Sequence, residues 1–265
     1  MLDTKIPALF VPHGAPDLAL QDNEAASFLK NLGTHISRKP KAIIMVSAHW
    51  ETRGLQVTAA RELETIYDFR GFAKELYELK YPAQSSSSLI ENLLGLLASN
   101  GHPLRLHASR GLDHGAWVPL MLAFPEADIP LVQLSLDKSM NPEDLFNLGK
   151  VLASLSEQDI LVMSSGGLVH NLFELDFANP NEPNEATEPW AREFENWLDK
   201  HIEAKDWQSL FNYRSLAPNA ERAHPTDEHL RPLFITLGVN EALDLSPKKL
   251  HSSFTYGNIS MAAWG

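Results

Sequence analysis

The sequence contains no cysteine. Disulfide bonds and thiolate metal ligands are therefore excluded, and a bound metal would need histidine, carboxylate, carbonyl or water ligands. The chain also has no apolar run near the roughly 18 residues that a membrane-spanning helix requires. Met1–Phe10 shows no charged-then-apolar targeting pattern. We therefore expect a cytoplasmic protein.

Positive charge is also scarce. The 265 residues include 22 Lys and Arg against 34 Asp and Glu, which gives a formal net charge of -12. Nucleic acids and anionic membranes attract clustered Lys and Arg side chains. We therefore expect neither a nucleic-acid nor a membrane partner. Apolar residues make up 44% of the chain, which predicts a packed core.

The apolar residues form short runs that alternate with helical patterns. Four runs have strand length: Ala8–Val11, Ala42–Val46, Pro130–Leu136 and Ile160–Met163. Four stretches have helical spacing or helix-start signals: Ser88–Ala98, Pro142–Leu155, Thr187–Ile202 and Glu228–Leu237. This alternation predicts an α/β fold with a central, largely parallel sheet flanked by helices.

Two further segments complete the predicted organisation. Leu250–Thr255 and Asn258–Ala263 flank Tyr256-Gly257, which predicts a terminal β-hairpin and hence a mixed sheet. Phe177–Glu188 is rich in Asn, Pro and Glu and is predicted to be a surface loop, with a lid as the alternative.

Three of the eleven histidines follow strand-like runs. His13, His49 and His170 come after the first, second and fourth runs. The carboxyl ends of parallel strands face one crevice, so these imidazoles are predicted to converge there. His114 lies beside Gly115, and His224 and His229 precede an amphipathic stretch. The other five histidines lack this context and are interpreted as ordinary polar residues: His35, His102, His107, His201 and His251.

Such a cluster indicates a catalytic metal site with histidine ligands. Neutral imidazole binds iron, zinc, copper or nickel, and three protein ligands leave positions open for a reaction. Ligand type alone does not separate an iron oxygenase from a zinc hydrolase. Histidines beyond the ligand set would suit proton transfer near neutral pH. Asp113 has two possible roles, either orienting the adjacent His114 or capping a turn or helix.

Six segments together resemble the DOPA-dioxygenase type of class III extradiol ring-cleavage enzymes, the superfamily of the protocatechuate 4,5-dioxygenase catalytic subunit. They are Pro7–Pro16, Ala42–Trp50, Leu112–Pro119, Pro130–Leu136, Ser165–Leu172 and His224–Gly238. The resemblance implies one α/β catalytic domain over residues 1–265. It also implies that a catechol, DOPA-like or otherwise substituted, is cleaved with O2.

The resemblance also implies roles for the histidines. His13, His49 and His229 would be metal ligands, and His170 would be a fourth ligand or the catalytic acid/base. His114 would line the pocket and contact substrate or oxygen, so His170 and His114 are the predicted catalytic residues.

Better-known superfamily members complete the iron shell with a carboxylate, whereas the matching position here is His229, preceded by Asp227 and Glu228. We expect Fe(II) for activity, with Zn(II) as a possible bound metal. Trp50, Trp117 and Phe173 are candidate ring-facing residues, with plain core packing as the more common alternative for buried aromatic residues. A zinc-dependent hydrolase and a non-catalytic metal-binding protein are the alternatives.

Overall fold

A computed structural model of the protein describes residues 5–176 and 187–265. The strands within this part are β1 (Leu9–Pro12), β2 (Ala42–Thr52), β3 (Gln56–Thr58), β4 (Glu62–Leu63), β5 (Ala83–Gln84), β6 (Arg105–His107), β7 (Leu131–Asp137), β8 (Ile160–Gly166), β9 (Lys249–His251), β10 (Phe254–Thr255), β11 (Ile259–Ser260) and β12 (Ala263–Trp264). The α-helices are α1 (Glu24–Lys30), α2 (Ser87–Ser99), α3 (His114–Ala123), α4 (Pro142–Leu152), α5 (Pro189–Glu203), α6 (Trp207–Phe211), α7 (Tyr213–Leu216), α8 (Ala220–Ala223) and α9 (Arg231–Ala242).

Eight strands form one mixed sheet in the order β6-β3-β7-β2-β8-β1-β12-β9. The central neighbours β7-β2, β2-β8 and β8-β1 pair in parallel, whereas β12 pairs antiparallel with both β1 and β9. The predicted α/β fold with a central, largely parallel but mixed sheet is therefore confirmed. The parallel set places the carboxyl ends of β7, β2, β8 and β1 along one edge.

The sheet is buried on both faces because its central strands are apolar at nearly every position. Successive side chains point to opposite faces, so Ile43 and Met45 join one apolar cluster while Ile44 and Val46 join the other. The first cluster also contains buried side chains from α1 and α3, and the second contains side chains from α2, α4, α5 and α9. The result is a helix–sheet–helix arrangement of three layers.

The four predicted strands correspond to β1, β2, β7 and β8, but β2 continues six residues beyond its predicted end at Val46. The predicted helix Pro142–Leu155 ends at Leu152 and continues as a 3-10 helix from Ala153 to Gln158. The predicted helix Glu228–Leu237 begins only at Arg231. Proline at the second helical position, Pro232, explains this late start, since the first turn tolerates a residue without an N–H donor.

The predicted terminal hairpin divides between two sheets. β10 and β11 pair with each other around Tyr256 and Gly257, which have φ angles of 52° and 77°. The outer residues instead form β9 and β12, which pair at the edge of the main sheet. The predicted loop Phe177–Glu188 lies outside the described residues except for its last two positions. No helix in the described part of the chain has the length and apolar character to cross a membrane.

Candidate metal and active site

His13, His49 and His170 lie at the carboxyl edge of the parallel strands, as the sequence predicts. His13 directly follows β1, and the adjacent Gly14 has a φ of +55°, a conformation that favours glycine. His170 lies four residues beyond the end of β8, where its backbone N–H donates to the carbonyl of Ala223 at 3.0 Å. The strand order β2-β8-β1 places these segments side by side.

His49 lies within an irregular stretch of β2. Val46 pairs with Leu134 of β7, but the next pair is Glu51 with Leu136, so β2 contains three more residues than β7 over this interval. Such a bulge bends the strand and changes the direction of its side chains. It contains His49, which explains why a residue inside a central strand reaches the edge of the sheet.

The start of α3 brings His114 to the same place. Asp113 is the N-cap residue, with its side chain accepting from the backbone N–H of Ala116 at 3.2 Å. Its oxygens also accept from Ser47 Oγ at 2.6 Å and Gln133 Nε2 at 2.6 Å. Of the two roles considered for Asp113, the helix cap is therefore confirmed, and orientation of His114 is not, because the acceptor atoms of Asp113 face these other donors.

Asp68 orients His114 instead. One oxygen, Oδ1, lies 2.9 Å from His114 Nδ1 and accepts from the His114 backbone N–H at 3.0 Å. The sequence analysis missed Asp68 because it lies 46 residues before His114, outside any local motif.

Two glycines allow the His229 segment to approach the end of β8. The His229 carbonyl accepts from the backbone N–H of Gly167 at 3.0 Å. A Cβ atom on Gly166 would overlap this same carbonyl oxygen. The backbone contact therefore depends on glycine at position 166, and it fixes His229 beside the strand that leads to His170.

The structure brings the five predicted site histidines into one cluster. Nε2 of His13 and Nε2 of His49 are 2.9 Å apart. The ring centroid of His114 lies 4.0 Å from that of His49, and the centroid of His229 lies 4.9 Å from it. His170 stacks on His229 with a centroid separation of 3.5 Å and an interplanar angle of 8°.

Potential ligand atoms within this cluster fall into two groups, each with all its ligand atoms within 4.8 Å of one another. The first group is His13, His49 and His114, and the second is His170, Glu228 and His229.

Hydrogen bonds to Nδ1 fix the tautomers of three of these rings. His13 Nδ1 lies 3.0 Å from Ser165 Oγ, whose hydroxyl donates to the Gly115 carbonyl and so accepts from His13. His229 Nδ1 donates to Glu228 Oε1 at 2.9 Å, and His114 Nδ1 donates to Asp68. Neutral rings with a proton on Nδ1 present a lone pair at Nε2, which is the form that binds a metal.

Burial favours the uncharged form of four of these rings, His13, His49, His170 and His229. Desolvation lowers the pKa of His49 and of His170 to about 4, and it lowers the pKa of His13 and His229 well below the usual value. Neighbouring imidazoles depress the pKa of each ring further, because two positive charges at this separation repel each other. Neutral imidazole lone pairs are therefore available at neutral pH.

A cavity of about 570 Å³ opens on the cluster. All five site histidines line it, together with Glu228, and its apolar wall includes Phe69, Phe72, Leu172, Leu175, Tyr256 and Ile259. This volume suits a small aromatic molecule.

None of the candidate ring-facing residues Trp50, Trp117 and Phe173 lines the cavity, and the alternative of core packing holds for the two tryptophans. Trp50 and Trp117 are buried away from the cavity, where Trp50 stacks under the guanidinium of Arg110. The ring of Phe173 is 88% exposed to solvent. The aromatic wall is formed by Phe69, Phe72 and Tyr256, which no strand-end or helical pattern distinguishes in the sequence.

His224 lies behind the site and does not line the cavity. It is fully buried, with Nε2 donating to the carbonyl of Leu168 at 2.8 Å. Burial lowers its pKa to about 4. His224 therefore supports the segment that leads to His170.

Comparison with known proteins places this arrangement in a family. The family model described as the catalytic LigB subunit of aromatic ring-opening dioxygenase matches residues 7–264. A 4,5-DOPA dioxygenase extradiol from Beta vulgaris is 37% identical over 262 residues, covering 96% of this chain and 94% of that relative. One from Escherichia coli K12 is 38% identical over 243 residues, covering 90% and 86%.

A solved structure shows the same fold. The crystal structure of an uncharacterized Escherichia coli K12 protein aligns with a TM-score of 0.81 at 33% identity, covering 98% of this chain and 99% of that one. The resemblance inferred from the six motifs is confirmed. These matches to catalytic dioxygenases contradict the alternative of a non-catalytic metal-binding protein. The chain belongs to the LigB family and is an enzyme of the aromatic ring-opening dioxygenase class.

Proposed function

We propose that this enzyme opens a catechol ring by extradiol cleavage with O2, using one Fe(II) ion bound by His13, His49 and His229. The observation that supports it best is the unpartnered, fully buried Nε2 of His229, which has no hydrogen-bond partner among the described residues. A buried polar atom without a partner is costly, and a metal ion would satisfy it. We also propose that residues 1–265 form one cytoplasmic catalytic domain.

The proposed donor set takes His13 and His49 from the first group of ligand atoms and His229 from the second, whose ring centroid lies 5.2 Å from that of His13 and 4.9 Å from that of His49. His13 and His49 direct their Nε2 atoms toward each other at 2.9 Å. Ser165 and Glu228 hold the Nδ1 protons of His13 and His229, which leaves the Nε2 lone pairs free for coordination. Bound iron would supply the redox chemistry for the reaction of O2 with the catecholate. Zn(II) also suits an all-imidazole set and is the expected competitor.

His170 is proposed as the acid/base rather than a fourth ligand. Its ring stacks on that of His229, with an interplanar angle of 8° and a centroid separation of 3.5 Å. Imidazole lone pairs lie in the ring plane, so stacked rings do not direct them at one ion. His170 lines the cavity, where it would take a proton from a substrate hydroxyl and later return it.

His114 has a separate proposed role. Asp68 holds the proton on Nδ1, so Nε2 is a hydrogen-bond acceptor. Nε2 would accept from the second hydroxyl of the substrate or, once protonated, donate to oxygen. Phe69 packs edge-on against His114 with a centroid separation of 5.8 Å, which excludes water from one side of the ring.

The test reconstitutes the metal-free protein anaerobically with Fe(II) or Zn(II) and then adds air and a catechol panel. We expect O2 uptake and a yellow ring-opened product with Fe(II) only. His13→Ala and His229→Ala should lose metal, measured by elemental analysis, while His102→Ala serves as the control outside the cluster. His170→Ala should retain metal and lose turnover.

Two results would contradict the proposal. Absence of O2 uptake with every catechol tested under Fe(II) would reject extradiol cleavage of those substrates. O2-independent hydrolysis of an ester or amide by the zinc form would favour the zinc-hydrolase alternative instead.

A further inference from the structure

A buried arginine lies close to the metal site along the chain. Arg231 is the first residue of α9 and follows the proposed ligand His229 by two positions. Its side chain is only 6% exposed. A guanidinium keeps its charge when it is buried, so it needs acceptors within the protein. Those acceptors come from other segments of the chain and not from α9.

The Arg231 side chain joins three segments at the carboxyl edge of the sheet. Its Nη1 forms an ion pair with Oε1 of Glu51, which lies in β2 beyond the bulge and pairs with β7. Its Nη2 donates to the carbonyl of Asp137, the last residue of β7, at 2.6 Å and to that of Met140 at 2.9 Å. One side chain therefore ties the start of α9 to the ends of β2 and β7.

This anchor connects two proposed ligand segments that are far apart in sequence. Glu51 lies two residues after His49, and Arg231 lies two residues after His229, yet 180 positions separate the paired residues. On the other side of His229, its carbonyl accepts from the backbone N–H of Gly167 at 3.0 Å. The His229 segment is thus held against β8 by one contact and against β2 and β7 by Arg231.

We propose that Arg231 is a positioning residue of the metal site, which holds His229 beside His49 through the ion pair with Glu51. The inference rests on the proposed function, because it takes both histidines as metal ligands. Arg231 does not line the cavity, so it acts on the ligands and not on the substrate. Ligands that are already held near their bound positions bind a metal more tightly, because less ordering opposes binding.

Arg231→Lys tests the anchor while keeping the positive charge. A single ammonium group cannot replace a planar guanidinium that reaches a carboxylate and two carbonyls. We expect the Kd of the metal-free protein for Zn(II) to rise by about tenfold or more. Competition with a chelator of known affinity measures the Kd, at a temperature where circular dichroism shows the variant folded. Glu51→Gln keeps an acceptor for Arg231 and should raise the Kd by a smaller factor.

Two exposed or distant ion pairs supply the controls. Lys138 lies 3.5 Å from the other oxygen of Glu51 and is 57% exposed, so Lys138→Gln should leave the Kd within about twofold of the parent value. Arg38 pairs with Asp159, which directly precedes β8 at the opposite end of the strand. Arg38→Gln should lower the urea midpoint without changing the Kd.

A spectroscopic signature separates positioning from general stability. The visible absorption of Co(II) depends on the geometry of its ligands, and Co(II) can replace Zn(II) in the metal-free protein. The Co(II) spectrum of Arg231→Lys should differ from that of the parent, whereas the spectra of Lys138→Gln and Arg38→Gln should not. A purely structural arginine would alter the urea midpoint and leave the spectrum unchanged.

The outcomes distinguish this inference from the proposed function. Parent Kd values and Co(II) spectra in both Arg231→Lys and Glu51→Gln would overturn the positioning role and leave the ligand set intact. An equal loss of affinity in Arg38→Gln would also overturn it, since instability alone would then weaken binding. If Arg231→Lys does not fold, the Kd of Glu51→Gln decides. Zn(II) binding by the parent that His229→Ala does not weaken would reject the ligand set and the inference together.

Discussion

At the scale of single residues, the site depends on side chains that hold the histidine protons in place. Three site histidines each have an acceptor beside Nδ1: Ser165 for His13, Glu228 for His229 and Asp68 for His114. The histidines themselves were predictable because they follow strand ends or adjoin glycine. Their partners were not, since Asp68 and His114 meet only through the tertiary fold.

Asp68→Asn tests this dependence. An asparagine amide can donate to Nδ1, which would favour the tautomer with its proton on Nε2 and remove the acceptor from the cavity. We expect kcat to fall by about 10- to 100-fold, with metal content unchanged. Steady-state kinetics and elemental analysis measure the two quantities.

Asp68→Glu and Asp128→Asn are the controls for that substitution. The glutamate keeps a carboxylate and should restore part of the lost kcat, whereas Asp128 is exposed, pairs with Lys39 and does not line the cavity. If Asp68→Asn lost metal, or lowered kcat no more than Asp128→Asn, Asp68 would have no positioning role.

At the scale of the elements, buried strands were predictable and their ends were not. Apolar runs identified β1, β2, β7 and β8 because these strands are buried on both faces. The three-residue edge strand β6 carries partly exposed side chains and gave no such signal. The extension of β2 past Val46 depends on the bulge opposite β7, which is a property of strand pairing and not of local sequence.

Close approach between α3 and the bulged part of β2 gives a prediction about Gly115. A Cβ atom there would overlap Ser47 Oγ and lie 2.8 Å from His49 Cδ2 and 3.3 Å from His13 Nδ1. Gly115→Ala should therefore displace two proposed ligands, lower metal content and destabilise the fold by about 1–3 kcal/mol. Metal analysis and urea unfolding measure both effects.

Gly95→Ala in α2 is the matched control, since a Cβ atom at Gly95 would meet nothing within 4 Å. In a helix interior, this change should stabilise the protein by about 0.5–1 kcal/mol. A Gly115→Ala protein with the parent's metal content would show that helix α3 can move back from His49 without cost.

At the scale of the whole molecule, a cluster of neutral buried imidazoles makes stability depend on pH. The unfolded chain protonates its histidines below a pKa of about 6.5, whereas burial lowers the pKa of His224 to about 4 in the folded protein. Between these values the unfolded state binds one more proton at this position than the folded state. The free energy of unfolding therefore falls as the pH falls from about 6.5 to about 4.

His224 isolates one such contribution because it lies outside the cavity and outside the proposed ligand set. His224→Gln keeps an amide donor that can reach the Leu168 carbonyl but does not titrate, so the variant should lose less stability on acidification. Between pH 7 and pH 5, the parent should lose about 2 kcal/mol more than the variant. Urea unfolding of chelator-treated protein at both pH values measures the difference, with His102→Gln as the side-chain control. Equal losses in the parent and the variant would mean that His224 takes up its proton in the folded state as readily as in the unfolded chain, and that its burial does not contribute to acid instability.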